Sequence, residues 1–160
     1  MNKYIALACL SLLANTVSSQ TRGPLRTYKQ ACNLQQLNHE YAALLQVKRR
    51  QFVRNAPAVV FDPALLKDIV EHNRIMEVRN KLFHADPAPC AELVGMSPEL
   101  RQCRSDPKLL ALAIWSAFQT STKGHCEIQA SPEYYSVAVS CSQNYFIVRL
   151  QHISVISNEE

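Results

Sequence analysis

The chain has 160 residues, 48% of them hydrophobic and 19% charged, with a formal net charge of +4, six cysteines and three glycines. So few glycines exclude a knot of loops held by disulfides and point to regular secondary structure. Basic residues are nowhere interleaved with aromatics, which excludes a nucleic-acid platform.

Residues 1–19 have the order of a secretory signal peptide: Lys3, an apolar run from Tyr4 to Ala14, then small residues before Gln20. The run is too short to anchor stably in a bilayer, and no later stretch is apolar for long enough to cross one. The expected product is a secreted, extracellular chain of about 140 residues, one domain with a real core. Loss of Lys3 leaves sixteen basic against thirteen acidic residues, a formal +3. Cys9 leaves with the leader, so Cys32, Cys90, Cys103, Cys126 and Cys141 remain. In an oxidising compartment this count predicts two bridges and one unpaired thiol, with the pairing open.

Residues 20–32 form a polar, basic arm, residues 33–152 the domain, and residues 153–160 a short tail. Leu34, Leu37, Tyr41, Leu44 and Leu45 recur at three- and four-residue steps, predicting a helix that ends near Val53. The dense basic run Lys48–Arg50, with Arg54 nearby, reads as a solvated helix end, or as a patch for glycans or anionic lipid. Asp62 and Pro63 form the second helix start, an N-cap followed by proline at the first position. The apolar positions from Leu65 to Phe83 extend that helix to His84, before the prolines of "ADPAPC". His39 and His72 lie inside helices and are expected at exposed positions. Asp106 and Pro107 open a third helix, "DPKLLALAIWSAF", apolar on nearly every side and so expected to be buried. "YYSVAVSC" and "NYFIVRLQ" around "SQN" predict an antiparallel hairpin. Helices followed by strands, without a βαβ repeat, place the chain in the α+β class.

The candidate chemistry lies just outside these elements: His84 at the helix end, Glu92 after the proline turn, and His125 in "GHCEI" before the hairpin. Cys126 adjoins His125, but sequence neighbours point in different directions and make a poor nucleophile–base pair, so a disulfide is its better account. No Gly-x-Ser-x-Gly, phosphate loop or His-Glu-x-x-His motif is present.

The order of these residues resembles the CAP superfamily, the secreted SCP/TAPS, venom-allergen-like and pathogenesis-related-1-type proteins. In that family an aromatic-Asp pair opens a helix that ends in a histidine 23 positions on, which is the separation of Phe61 and His84. "CAEL" stands where the family has Gly-Glu-Asn-Leu and puts Glu92 on its glutamate. "HCEIQASPEYYSVAVS" places His125 on the second family histidine and Val137–Val139 on the following strand, and "NYFIVRLQ" resembles the closing strand. Arg50 suits the family's first-helix arginine if one residue is inserted before Phe61. The resemblance covers residues 34–150. Its departures are the His-Asn pair of the first helix, replaced by Gln46-Val47 or Val47-Lys48, the Thr-Gln-x-x-Trp residues after the second histidine, replaced by Glu127, Ile128 and Tyr134 or its neighbours, and the second glutamate, replaced by Phe118.

The resemblance implies a single-domain α-β-α sandwich with helices flanking an antiparallel sheet. It also implies a cavity of His84, Glu92 and His125, to which Glu127 can supply the missing carboxylate. Two imidazoles with water are donors zinc accepts, so His84 and His125 are the expected metal positions and zinc the cofactor to test. The function implied is non-enzymatic extracellular binding of a sterol, another lipid or a partner protein, with Tyr134, Tyr135, Tyr145 and Phe146 as candidate groove residues. The alternatives are a small zinc-dependent hydrolase using His84, His125 and Glu92, and an effector acting through its surface with a vestigial cavity.

Overall fold

The computed structural model describes residues 32–85 and 90–152. The predicted signal peptide, most of the arm, the proline turn and the tail lie outside those residues. Helix α1 spans Leu34–Phe52. Asn33 caps it by accepting from the Gln36 N–H at 3.2 Å, and Leu34, Leu37, Tyr41 and Leu45 form its inward stripe. Two residues, Val60–Phe61, make strand β1. Helix α2, Pro63–Arg79, starts as expected, with Asp62 accepting from the Ala64 N–H at 2.8 Å.

The end of α2 differs from the expectation. Asn80 takes a left-handed conformation with φ +48°, and the Lys81 N–H turns back to the Met76 carbonyl. Asparagine tolerates that region better than most residues, so the helix closes there rather than running on through Phe83. His84 therefore stands on an irregular segment after the helix.

Strand β2 follows at Ala91–Met96, then a 3-10 turn at Pro98–Cys103. Helix α3 spans Pro107–Gln119, with the Asp106 carboxylate accepting from the Lys108 and Leu109 N–H groups at 3.0 and 3.1 Å. Contrary to expectation it is not buried all round: Leu110, Ala111, Ile114, Trp115 and Phe118 face the core, but Leu109 and Leu112 are 48% and 43% exposed. Helix α4, His125–Ala130, begins after Gly124, whose φ of +76° suits glycine.

Strands β3 (Tyr134–Cys141) and β4 (Tyr145–His152) form the predicted antiparallel hairpin, with Val139 opposite Val148 and Cys141 opposite Phe146. The four-stranded sheet has the order β1-β3-β4-β2. It is mixed rather than antiparallel throughout, because β1 adds to β3 in parallel and carries the chain straight into α2. The hairpin thus fills the sheet centre, which explains why nearly all its residues are buried.

The period-two alternation of the strands sorts two cores. Val137, Val139, Cys141, Phe146, Val148 and Leu150 face α1 and α3. Ala138, Tyr145, Ile147 and Val94 face α2, packing on Ile69 and Met76. This is an α-β-α sandwich. Tyr145 and Phe146 are core residues on opposite faces, so they line no groove.

Polar side chains lock α1 to the sheet. Asn38 Nδ2 donates to the Val139 carbonyl at 2.9 Å, and the Val139 N–H donates back to Asn38 Oδ1 at 2.6 Å. Arg49 is buried and donates to the Gln129 carbonyl at 2.8 Å and to the Tyr134 carbonyl. The arginine that ties the first helix to the rest of the molecule is therefore Arg49, not Arg50, which is exposed. Burial also means that Lys48–Arg50 is not a wholly solvated run.

Candidate functional site: a buried carboxylate under a histidine pair

Glu92 lies on edge strand β2, directly opposite Arg149 on β4. Strand alternation turns both toward α2, beneath whose inward stripe they are buried. The Glu92 side chain is 1% exposed and surrounded by donors. Its Oε2 accepts from Arg149 Nε and Nη2, both at 2.9 Å, and from His72 Nδ1 at 3.2 Å. Its Oε1 accepts from the Ala85 N–H at 2.8 Å and lies 3.5 Å from His84 Nδ1. Burial by itself raises the Glu92 carboxyl, but the Ala85 N–H, Arg149 and His72 together outweigh it and hold the pKa below the ordinary glutamate value.

His72 is the main correction to the sequence reading. It is buried rather than exposed, because it falls within the stripe of Ile69, Asn73 and Met76 that α2 turns to the sheet. An ionised Glu92 requires a proton on Nδ1, which leaves neutral His72 with a bare Nε2. That atom is buried and makes no hydrogen bond among the described residues. Phe83 covers the ring at a centroid distance of 5.0 Å, and the Arg79 guanidinium lies 5.8 Å from the Phe83 centroid. Phe83, read as a helix residue, acts as a lid on this cluster.

His84 is 54% exposed at the rim. His125 opens α4 and packs edge-on against Phe118, with centroids 5.1 Å apart. Partial burial, then the charges of His84 and Lys123, lower the His125 pKa. Glu127 is exposed, and its carboxylate, lying back over Gly124, makes no hydrogen bond or ion pair among the described residues. His84 therefore meets Glu92, and His125 lies near enough to His84 to feel its charge, while Glu127 turns to solvent.

These donors do not fit a resident zinc ion. Both Glu92 oxygens are engaged, and Glu127 lies apart, which leaves two imidazoles where protein zinc sites use three or four protein ligands. Among the described residues no group of three or more His, Cys, Asp or Glu side chains is arranged to hold a metal. Cys126 is not a nucleophile paired with His125 either: its thiol donates to Gln119 Oε1 at 3.0 Å. Cys90, Cys103 and Cys141 stand as thiols too, so the described residues show the reduced chain and not the two bridges expected from the cysteine count. Chemically, the cluster pins the chain after α2 onto the sheet edge through charge-assisted hydrogen bonds.

Arg149, which the sequence reading passed over, had a signal in the sequence. A lone cation inside the otherwise apolar "YFIVRL" of a central strand must be buried and paired. Its partner could not be read without the register.

A second feature lies on the opposite layer. Ala43, Leu44 and Val47 of α1 and Leu109 and Leu112 of α3 line an open groove of about 520 Å³, rimmed by Glu40, Asp106 and Lys108.

No protein-family model matches the chain, and no curated protein sequence does. An extracellular protein containing an SCP domain from Bacillus anthracis matches in structure, with a TM-score of 0.53 and 14% sequence identity. The match covers 72% of this chain and 40% of that protein. The fold is CAP-like. At that identity the likeness concerns the fold, and this chain spans less than half of the SCP-domain protein's length.

Proposed function

We propose that this chain is a secreted, non-catalytic CAP-like binding protein that takes a sterol or another lipid into the groove between α1 and α3. The groove itself carries the reading. Val47, Leu109 and Leu112 are 58%, 48% and 43% exposed side by side, on a helix pair whose inward stripes are buried in the core. An apolar cleft with a few polar groups at its rim is the usual form of a small-molecule site. Lys108 and the two rim carboxylates offer partners for a hydroxyl or polar headgroup.

Secretion is supported by the apolar leader-like segment at residues 4–14 and by the extracellular nature of the SCP-domain neighbour. A hydrolytic role has less support, because Glu92, the carboxylate beside His84, is already neutralised by Arg149. The surface-effector reading loses one of the three cations of its basic run, since Arg49 is buried.

Titration with a fluorescent fatty acid and a fluorescent sterol tests the proposal. Saturable one-to-one binding of at least one is expected. Leu109→Glu and Leu112→Glu should each weaken it about 10- to 100-fold, the equivalent of losing burial of one leucine side chain. Absence of saturable binding by both probes, or binding untouched by either substitution in folded protein, would overturn the lipid reading.

A further inference from the structure

Three cysteines that are remote in sequence converge on one end of the α1-facing core. Helix α1 runs antiparallel to β3, because Arg49 meets Tyr134 at the start of the strand and Asn38 brackets Val139 further along it. From Asn38 back to Leu34 is about 6 Å at helical rise, and the extended N-cap Asn33 carries the chain on to Cys32 in the same direction. From Val139 on to Cys141 is about 7 Å at strand rise. The two cysteines therefore lie at the same level. They also lie on the same face: Cys141 belongs to the core cluster with Val137 and Val139, and Cys32 and Cys103 pack against that cluster. Arg104 ties the third element to the same corner by donating to the Ser142 carbonyl at 3.0 Å.

We propose that Cys32 and Cys141 form a disulfide that fastens the start of α1 to the end of β3. Cys32, rather than Cys103, is the thiol whose charge acts on Cys141, and the Arg104 guanidinium acts on both. Burial pushes Cys141 up to about 12, so it is a poor first nucleophile. Cys32 is only half-buried; burial raises it too, but Arg104 opposes the rise.

With a low-molecular-weight disulfide such as oxidised glutathione as oxidant, the Cys32 thiolate attacks one glutathione sulfur and expels the other as a thiolate. Cys141 then attacks the Cys32 sulfur of the mixed disulfide, and its proton goes to the departing second glutathione thiolate. One S–S bond replaces two S–H bonds, and one oxidised glutathione becomes two reduced molecules. The bridge does not depend on any ligand of the α1–α3 groove.

The test is peptide mapping of the purified full chain, equilibrated in a reduced/oxidised glutathione buffer, alkylated without reduction and cut with trypsin and glutamyl endopeptidase. The expected main product joins "QACNLQQLNHE" to "YYSVAVSCSQNYFIVR" and separates on reduction. Cutting after Glu133 is needed because trypsin alone leaves Cys126 and Cys141 in one peptide. The linked product should persist in Cys103→Ser and vanish in Cys141→Ser, with Cys32 then alkylated or glutathionylated. Linkage of either cysteine to Cys103, or recovery of both as alkylated or glutathionylated thiols in the wild type, would overturn the proposal.

Discussion

Replacing Glu92 with glutamine preserves its shape and removes the charge on which the buried cluster depends. In the wild type, Arg149 Nε and Nη2 each donate to Oε2 at 2.9 Å, and His72 Nδ1 does so at 3.2 Å. A glutamine keeps one oxygen acceptor and presents an amide N–H₂ where a second acceptor stood. Either the Ala85 N–H or the Arg149–His72 side then meets a donor. Removing one partner of a buried pair costs about 3–5 kcal/mol, and the oxygen that remains argues for the lower end, about 3 kcal/mol. Asp68 offers little relief to Arg149, since it lies 3.8 Å away and is largely exposed.

The loss must also depend on pH. The Glu92 pKa is depressed on folding, so its contribution is complete above the unfolded glutamate pKa, about 4.3, and is lost as pH falls through the lower folded value. Urea unfolding of wild type and Glu92→Gln should therefore diverge by about 3 kcal/mol at pH 7 and converge in acid. Arg149→Met added to Glu92→Gln should cost less than the sum of the single changes, because the second substitution removes the stranded cation. Equal stability at pH 7, or a difference that does not change down to pH 3, would refute the claim that Glu92 is ionised and paired.

Gly95→Ala places a Cβ 2.2 Å from Phe146 Cζ, its cross-strand neighbour. Thermal melts should show a loss of about 1–3 kcal/mol from overpacking. Arg49→Met should cost at least about 2 kcal/mol by stranding the Gln129 and Tyr134 carbonyls, whereas Arg50→Ala should stay within about 0.5 kcal/mol; parallel urea titrations separate the two arginines. For His125, an NMR titration should give a midpoint below the ordinary histidine value of about 6.5, and His84→Gln should move it upward. Protonating His125 as pH falls through that window disfavours the folded state, so the same substitution should lessen the loss of stability there.

The helix starts were legible because they are local: Asp62-Pro63 and Asp106-Pro107 satisfy their own first turns wherever the helix is placed. The hairpin was legible for a similar reason, its strands being adjacent in sequence. Strands β1 and β2 were not. Val60–Phe61 is a strand only because β3 offers an edge beside it, and "AELVGM" is one only because β4 does. The early end of α2 was hidden as well, since the apolar spacing continues past Asn80 while the backbone turns.

The candidate site divides along the same line. Glu92 stood out as a carboxylate after the proline turn, but periodicity alone could not say which neighbours neutralise it. His72 was read from its residue type as an exposed helix histidine, although its position in the Ile69–Met76 stripe made it an inward residue. Glu127 is the nearest carboxylate to His125 in the sequence, yet α4 turns it to solvent. By itself, then, the sequence determined the local starts, the hairpin and the α+β class. Only the tertiary structure decided that Glu92 is held by Arg149 and His72, that Arg49 rather than Arg50 is buried, and that two leucines of α3 face a groove. Caps and turns are fixed by neighbours a few residues away, whereas a buried charge is fixed by whatever the register places opposite it.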